Sequence, residues 1–289
     1  MISPTPRRIA LFFPVALAAG AWILFGGVDA QDAPAPKPLR VLLIAGGCCH
    51  DYATQTLLLE EGIEARIPAE VEVIHNPDRS TGATFEIYQS ADWAAGFDVI
   101  VHDECSASVT DPAYVNRILD AHRGGVPAVN LHCAMHSYRW GDFKNPVADG
   151  ADNAGWFEML GLQSTGHGPQ SPIAIRYLDP EHPVTKGFAD WTTINEELYN
   201  NVRIHPGAKA LAMGTQTQKP KTKPGQTEEP GKEVEAVVAW TNEYGPKKTR
   251  IFSTTIGHNN DTVGDARYLD LVCRGLLWVT GRLDLPPSP

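Results

Sequence analysis

Val126-Pro-Ala-Val-Asn-Leu-His-Cys-Ala-Met-His136 is the stretch on which the reading of this chain turns. An apolar run behind Gly124-Gly125 marks a buried strand, because strands covered on both faces lose the polar alternation of half-exposed ones. The run stops at His132, with His136 four residues on. A turn from strand into helix there would place both imidazoles on one helical face. Open α/β sheets bind ligands at the carboxyl edge of their strands. His132 is therefore the first candidate for chemistry.

The same pattern extends on both sides. Residues 39–45 read as a first strand, followed by Gly46-Gly47 and a loop through Cys48-Cys49-His50-Asp51. Residues 54–67 carry helical spacing (Leu57, Leu58, Ile63, Ile67) and stop at Pro68. Strands follow at 71–74 and 97–101, the second running into His102-Asp103-Glu104. Asp111-Pro112 opens a helix, with Asp as its N-cap and Pro in the first turn. Strands alternating with helices predict an α/β fold with a parallel, doubly wound sheet. Beyond Tyr138 come a short helix at 153–160 and strands at 172–178 and 208–213. A hairpin of 234–240 and 250–255 and a final helix at 266–280 complete the chain. Residues 219–232, rich in Lys, Pro, Thr and Glu, are expected to form an exposed loop.

The N-terminus reads differently. Arg7-Arg8 precede an apolar stretch over residues 9–28, and Val28-Asp29-Ala30 offers small residues at −3 and −1 of a cleavage after Ala30. That is the layout of a secretory signal peptide. Pro14 and the length of the stretch leave an uncleaved membrane anchor as the alternative, since ~20 apolar residues span a bilayer. The expected organisation is thus residues 1–30 as signal peptide or anchor, 31–38 as a Pro-rich linker and 39–283 as one folded domain. The expected location is periplasmic or secreted, with contact to the membrane only through that first segment if it stays uncleaved. Cleavage removes Arg7, Arg8 and Asp29 and moves the net charge from −10 to −11. Such an acidic chain repels phosphate backbones, so nucleic acid is not an expected partner. The cysteine count, 5, is odd, and Cys48-Cys49 are neighbours that seldom pair, so most thiols are expected free.

With parallel strands, His50, Asp103, Glu104, His132 and His258 all leave strands at their carboxyl ends and should share one rim. Histidine and carboxylate together suit general acid–base catalysis, where imidazole titrates near working pH. They equally suit a divalent metal such as zinc, with His50, His132 and His258 as ligands. A lone strand-end histidine is more often structural; several on one rim point to a site. Trp140, Trp156, Trp191 and Trp240 could stack on sugar rings, but core packing is their commoner role.

Gly46-Gly-Cys-Cys-His-Asp-Tyr52, Leu131-His-Cys-Ala-Met-His136, His182-Pro-Val-Thr185, Glu196-Glu-Leu-Tyr199, Val238-Ala-Trp240 and Thr255-Ile-Gly-His258 resemble, in order, motifs of the ThuA-like (trehalose utilisation) family. The resemblance runs over nearly all of residues 39–283. It implies a class I glutamine amidotransferase-like fold: a flavodoxin-like three-layer sandwich with a mostly parallel central sheet. It also implies a carbohydrate ligand, from disaccharide and keto-sugar metabolism. Amidotransferases centre a nucleophilic Cys in a Gly-x-Cys-x-Gly elbow. Here Asn130-Leu-His-Cys-Ala134 centres His132 and moves Cys133 one place on, so glutamine hydrolysis is not expected.

The resulting expectation is an exported sugar-processing isomerase, lyase or hydrolase. His132, Glu197 and His258 are its candidate catalytic residues; His50, Asp103, His136, His167 and Tyr199 are its candidate substrate contacts. The alternative is a non-catalytic carbohydrate-binding module on the same scaffold, since a fold does not guarantee an activity. A hydrolase built on Cys133 is the third reading.

Overall fold

The computed structural model describes residues 37–219 and 230–284. The expected signal peptide or anchor, most of the linker and the centre of the 219–232 loop lie outside these residues. Strand β1 (Leu39–Gly47) leads into helix α1 (Tyr52–Glu64) and β2 (Ala69–Asn76). Then come β3 (Val99–Cys105), α2 (Pro112–Arg123) and β4 (Ala128–Leu131). A 3-10 turn over His132–His136 and helix α3 (Gly155–Leu160) precede the long strands β5 (Leu162–Tyr177) and β6 (Trp191–Ile204). Strands β7 (Lys209–Gln218), β8 (Lys232–Tyr244) and β9 (Thr249–Thr254) and helices α4 (Asn260–Val263) and α5 (Ala266–Val279) close the chain. Among the described residues no helix is long and apolar enough to cross a membrane.

All nine strands form one sheet, in the order β2-β1-β3-β4-β9-β8-β7-β5-β6. The expectation of a mostly parallel sheet is corrected here. Pairings from β2 across to β9 are parallel, and those from β9 across to β6 are antiparallel. The reason lies in the connections. Parallel neighbours need a crossover of about a dozen residues or more, which α1 and α2 supply. The tight turn between β8 and β9 admits only antiparallel return, and β5, lying between β6 and β7, pairs antiparallel with both. Strand β6 was not read from the sequence at all, because its polar residues hide a strand pattern.

Alternate residues of β1 feed two cores. Val41 and Leu43 pack with Leu59 and Ile63 of α1 and with Val272 and Leu276 of α5. Leu42 and Ile44 pack with Ile118 and Leu119 of α2 and with Trp156 and Leu160 around α3. Helices thus cover both faces, which explains why β3 and β4 are buried throughout and why β1 and the start of β3 are apolar. Asp111 caps α2 through Oδ1, accepting from Ala113 N–H at 2.9 Å, with Pro112 in the first turn. Trp156 and Trp240 are core residues, donating to the carbonyls of Ala134 and Leu160 at 2.8 and 2.7 Å.

The second core holds a buried polar chain. His122 Nδ1–H donates to the Val126 carbonyl at 2.7 Å, so its Nε2 accepts from His102 Nε2–H at 3.0 Å. His102 Nδ1 then lies 3.0 Å from Glu104 Oε1, which also accepts from the hydroxyls of Tyr88 and Tyr138 at 3.0 and 3.1 Å. One further proton must sit between His102 and Glu104 for that contact to bond. Glu104 therefore serves the core and not the rim. Burial, reinforced by His102, pushes His122 down to about 3 from 6.5. The unfolded chain thus takes up a proton near pH 6.5 that the native chain refuses. Native stability should fall by up to about 1.4 kcal/mol per pH unit from this imidazole as pH drops through that window. Urea unfolding at a series of pH values checks it; stability that stays level or rises on acidification below pH 6.5 would refute the assignment.

Candidate functional site

The site forms where the parallel and antiparallel halves meet. Strand β4 ends at Leu131, in register with Thr254 of β9. His132 then turns the chain with φ +35°, an unusual conformation for a side-chain-bearing residue and one that clusters at functional positions. The following turn is 3-10, which corrects the expectation of one helical face: side chains there repeat every three residues. His132 Nδ1 is 2.6 Å from the Thr255 carbonyl, whereas His136 Nε2 meets Ser164 Oγ at 2.9 Å. The Tyr199 ring lies between them, stacked on His136 at 4.2 Å and tilted against His132 at 5.0 Å.

A carbonyl can only accept, so His132 Nδ1 carries a proton and the neutral ring presents Nε2 as a lone pair. That nitrogen is buried, without a hydrogen-bond partner, and 3.5 Å from Glu197 Oε2. His258 differs in tautomer: the Gln170 amide nitrogen donates to its Nε2 at 2.8 Å, so the ring proton sits on Nδ1, 3.3 Å from Glu197 Oε1 but outside hydrogen-bond geometry. His167, at the open side of the site, brings Nδ1 to 3.5 Å from Glu197 Oε1. Burial alone would raise the Glu197 carboxyl, but His132 and His258 outweigh it and hold the group well below the usual carboxylate range. Glu197 in turn raises His258, against burial. The two shifts describe a carboxylate and an imidazole that each favour the charged form of the other.

His50 is placed beside this cluster, its ring 4.8 Å from that of His132 and 4.6 Å from that of His258. Both its nitrogens are engaged: Nδ1 is 3.2 Å from the His258 carbonyl and Nε2 is 2.9 Å from Cys133 Sγ. Burial and the neighbouring histidines push it down to about 3. Asp103 lies within β3 instead of beyond it, and burial raises its carboxyl well above the ordinary value. Among the described residues no hydrogen bond or ion pair joins it to Glu197 or to the histidines. Tyr199 Oη is buried without a partner in the same region. The Cys133 thiol is raised well above its ordinary value by its hydrogen bond to Cys105 and by burial, which weakens it as a nucleophile. Cys48 and Cys49, expected free, form a disulfide, and Cys105, Cys133 and Cys273 are free and buried.

The reading from sequence gave no role to Glu196 or Gln170. The Glu196 carboxylate accepts the backbone N–H groups of Gly257, His258 and Asn259 at 3.4, 2.9 and 3.1 Å. It thereby fixes the loop that carries His258. Its place beside Glu197 in one motif was the available signal; nothing in the sequence marked Gln170.

A family model described as trehalose utilisation, ThuA, matches residues 40–279. The chain belongs to the ThuA family. This ThuA chain is similar to a ThuA-like protein from Parabacteroides merdae, with TM-score 0.57 and 20% identity over 84% of this chain and 90% of that one. It is also similar to a cytoplasmic protein from Salmonella typhimurium, with TM-score 0.52 and 15% identity over 83% and 99% of the two chains. At these identities the likeness is one of fold. No curated protein matches the chain.

Replacing Glu196 by Ala removes three charge-assisted bonds to one buried and two part-buried amides and should cost the ThuA domain about 1.5–3 kcal/mol. Glu196→Gln, which keeps one acceptor oxygen, should fall between that variant and wild type in urea unfolding. A Glu196→Ala domain as stable as wild type would mean that water replaces the carboxylate freely.

Proposed function

We propose that this ThuA protein is an exported enzyme that acts on a disaccharide or keto-glycoside, with a divalent cation held by His132 Nε2, His258 Nδ1 and Glu197 as its reactive centre. The observation that carries this reading is two unpartnered imidazole nitrogens facing one carboxylate, at 3.5 and 3.3 Å. Ligands at about 2.0–2.1 Å from a tetrahedral ion stand about 3.3–3.4 Å from each other. All three ligand atoms lie within 4.8 Å of one another. Two histidines and a glutamate leave a fourth position for water or substrate, the donor set of a catalytic zinc site.

The outer contacts support it. His132 donates Nδ1–H to a backbone carbonyl, the usual device for fixing a metal-binding imidazole. Ligation by His258 Nδ1 requires the Gln170 amide, whose nitrogen now donates to His258 Nε2 at 2.8 Å and to Glu197 Oε1 at 3.5 Å, to turn and accept the Nε2–H instead. This set replaces the sequence-based trio: Glu197 takes the place of His50, whose nitrogens are already bonded. A bound cation would polarise a sugar carbonyl or hydroxyl and acidify the neighbouring C–H or O–H. His167 and the Tyr199 hydroxyl flank that position and are available to bind a sugar hydroxyl or move a proton. The family's description, trehalose utilisation, supports a carbohydrate substrate. Arg7-Arg8, the apolar stretch behind them and the disulfide support export to an oxidising compartment.

Full-length protein, stripped with chelator and reloaded with zinc, should retain about one ion per chain by elemental analysis. His132→Ala and Glu197→Ala should each lose the ion and the turnover of a disaccharide or keto-glycoside substrate. Their deficit should exceed the roughly 10–100-fold cost of losing an outer-shell partner. Cys133→Ser, once shown to be folded, should keep both ion and turnover. A folded wild-type protein that holds no zinc, manganese or other divalent ion would overturn the cation. Turnover that survives His132→Ala but not Cys133→Ser would overturn the whole site.

A further inference from the structure

A second cluster lies beside this site, and none of the chemistry above uses it. Cys48, half-buried, and Cys49, exposed, are joined as adjacent residues in the loop after β1. The free thiol of Cys105, at the end of β3, has its sulfur 3.2 Å from Cys48 Sγ. The three sulfurs lie within 4.8 Å of one another. The backbone holds this contact in place. Gly47 pairs with Cys105 in the sheet, and Cys48 N–H reaches the Cys105 carbonyl at 3.4 Å. Gly47 sits at φ +91°, and a Cβ there would come within 2.2 Å of the Cys105 carbonyl oxygen. Only glycine allows the loop so close.

We propose that Cys48, Cys49 and Cys105 form a thiol–disulfide exchange site, in which the bridge moves between Cys48–Cys49 and Cys48–Cys105. The Cys105 thiolate forms a bond to Cys48 Sγ, and the Cys48–Cys49 bond breaks. The electron pair leaves on the Cys49 sulfur, which takes up one proton as Cys105 gives one up. One disulfide is lost and one gained, so the step needs no outside oxidant or reductant. Its result is to move a free thiol from the buried strand end to the exposed Cys49. That thiol is where a low-molecular-weight disulfide of the glutathione class would add, forming a mixed disulfide and releasing one thiol.

The surroundings suit Cys105 as the attacking sulfur. Its hydrogen bond with Cys133 lowers its thiol against burial, with help from the Arg139 charge. Cys133 in turn contacts His50 Nε2, and His50 follows Cys49 directly in the chain. The inference stands apart from the cation reading, because it concerns which cysteines are bonded and not whether an ion binds.

The test uses the full chain, purified without reductant. Native protein is treated with a maleimide, unfolded at acid pH with excess alkylating agent and digested for non-reducing peptide mapping. Wild type should label at Cys49 and accumulate peptides joined through Cys48 and Cys105, because capping Cys49 pulls the exchange forward. Cys105→Ser should label Cys49 at least about tenfold more slowly, since its hydroxyl cannot displace a disulfide. If that variant does not fold, the wild-type map decides by the presence or absence of the Cys48–Cys105 link. A map holding only Cys48–Cys49, with Cys49 unlabelled, overturns the proposal. So does a Cys105–Cys133 disulfide, or Cys48 and Cys49 recovered as free thiols.

Discussion

The pairing of β4 with β9 is the constraint on which the rest of the molecule depends. Strand β9 is parallel to β4 on one side and antiparallel to β8 on the other, so it joins the two halves of the sheet. The register Leu131↔Thr254 carries two chain turns side by side out of the sheet. One delivers His132 and the other His258. The bond from His132 Nδ1 to the Thr255 carbonyl ties the two turns together and sets the tautomer of His132 in the same stroke. A one-residue slip would flip every side chain of β9 to the other face and separate the pair.

Electrostatics then act on that geometry. A buried carboxylate is unfavourable alone, yet Glu197 is held ionised by the histidines around it. The facing histidine nitrogens stand 3.5 and 3.3 Å from it without well-aligned hydrogen bonds, and Gln170 donates to it at 3.5 Å. An apolar pocket would not collect such groups, and a hydrogen-bonded triad would not leave two of them orphaned. The proposed cation would resolve both deficits at once. Glu196 acts at one remove, through three backbone amides that give His258 its position.

The loop after β1 is built on an equally narrow constraint. Its approach to β3 is possible only because residue 47 lacks a side chain. That approach brings a disulfide, two free thiols and His50 into one line toward the metal-binding candidates. The carboxylate–histidine cluster and the cysteine cluster thus adjoin at the carboxyl ends of the parallel strands.

Much of the first half was legible in the sequence, because strands buried on both faces and a capped helix leave local marks. The apolar runs of β1, β3 and β4 and the Asp111-Pro112 cap are of that kind. Strand ends singled out His132 and His258, and motif resemblance added Glu197; the structure brings the three together. Three things were not legible. Strand β6 alternates irregularly and carries polar residues that a solvated loop would also carry, so its pairing with β5 had no local signature. The direction of the sheet's second half depended on which strands meet, a long-range property that no window of sequence contains. Partners were equally hidden: His50 looked like a ligand until Cys133 and the His258 carbonyl took its nitrogens, and Cys48 looked unpaired beside Cys49. Sequence by itself determined which residues could do chemistry, since residue type and strand ends are local. Only the tertiary structure decided which of them face one another, because hydrogen-bond partners come from segments more than a hundred residues apart, as His132 and Thr255 do.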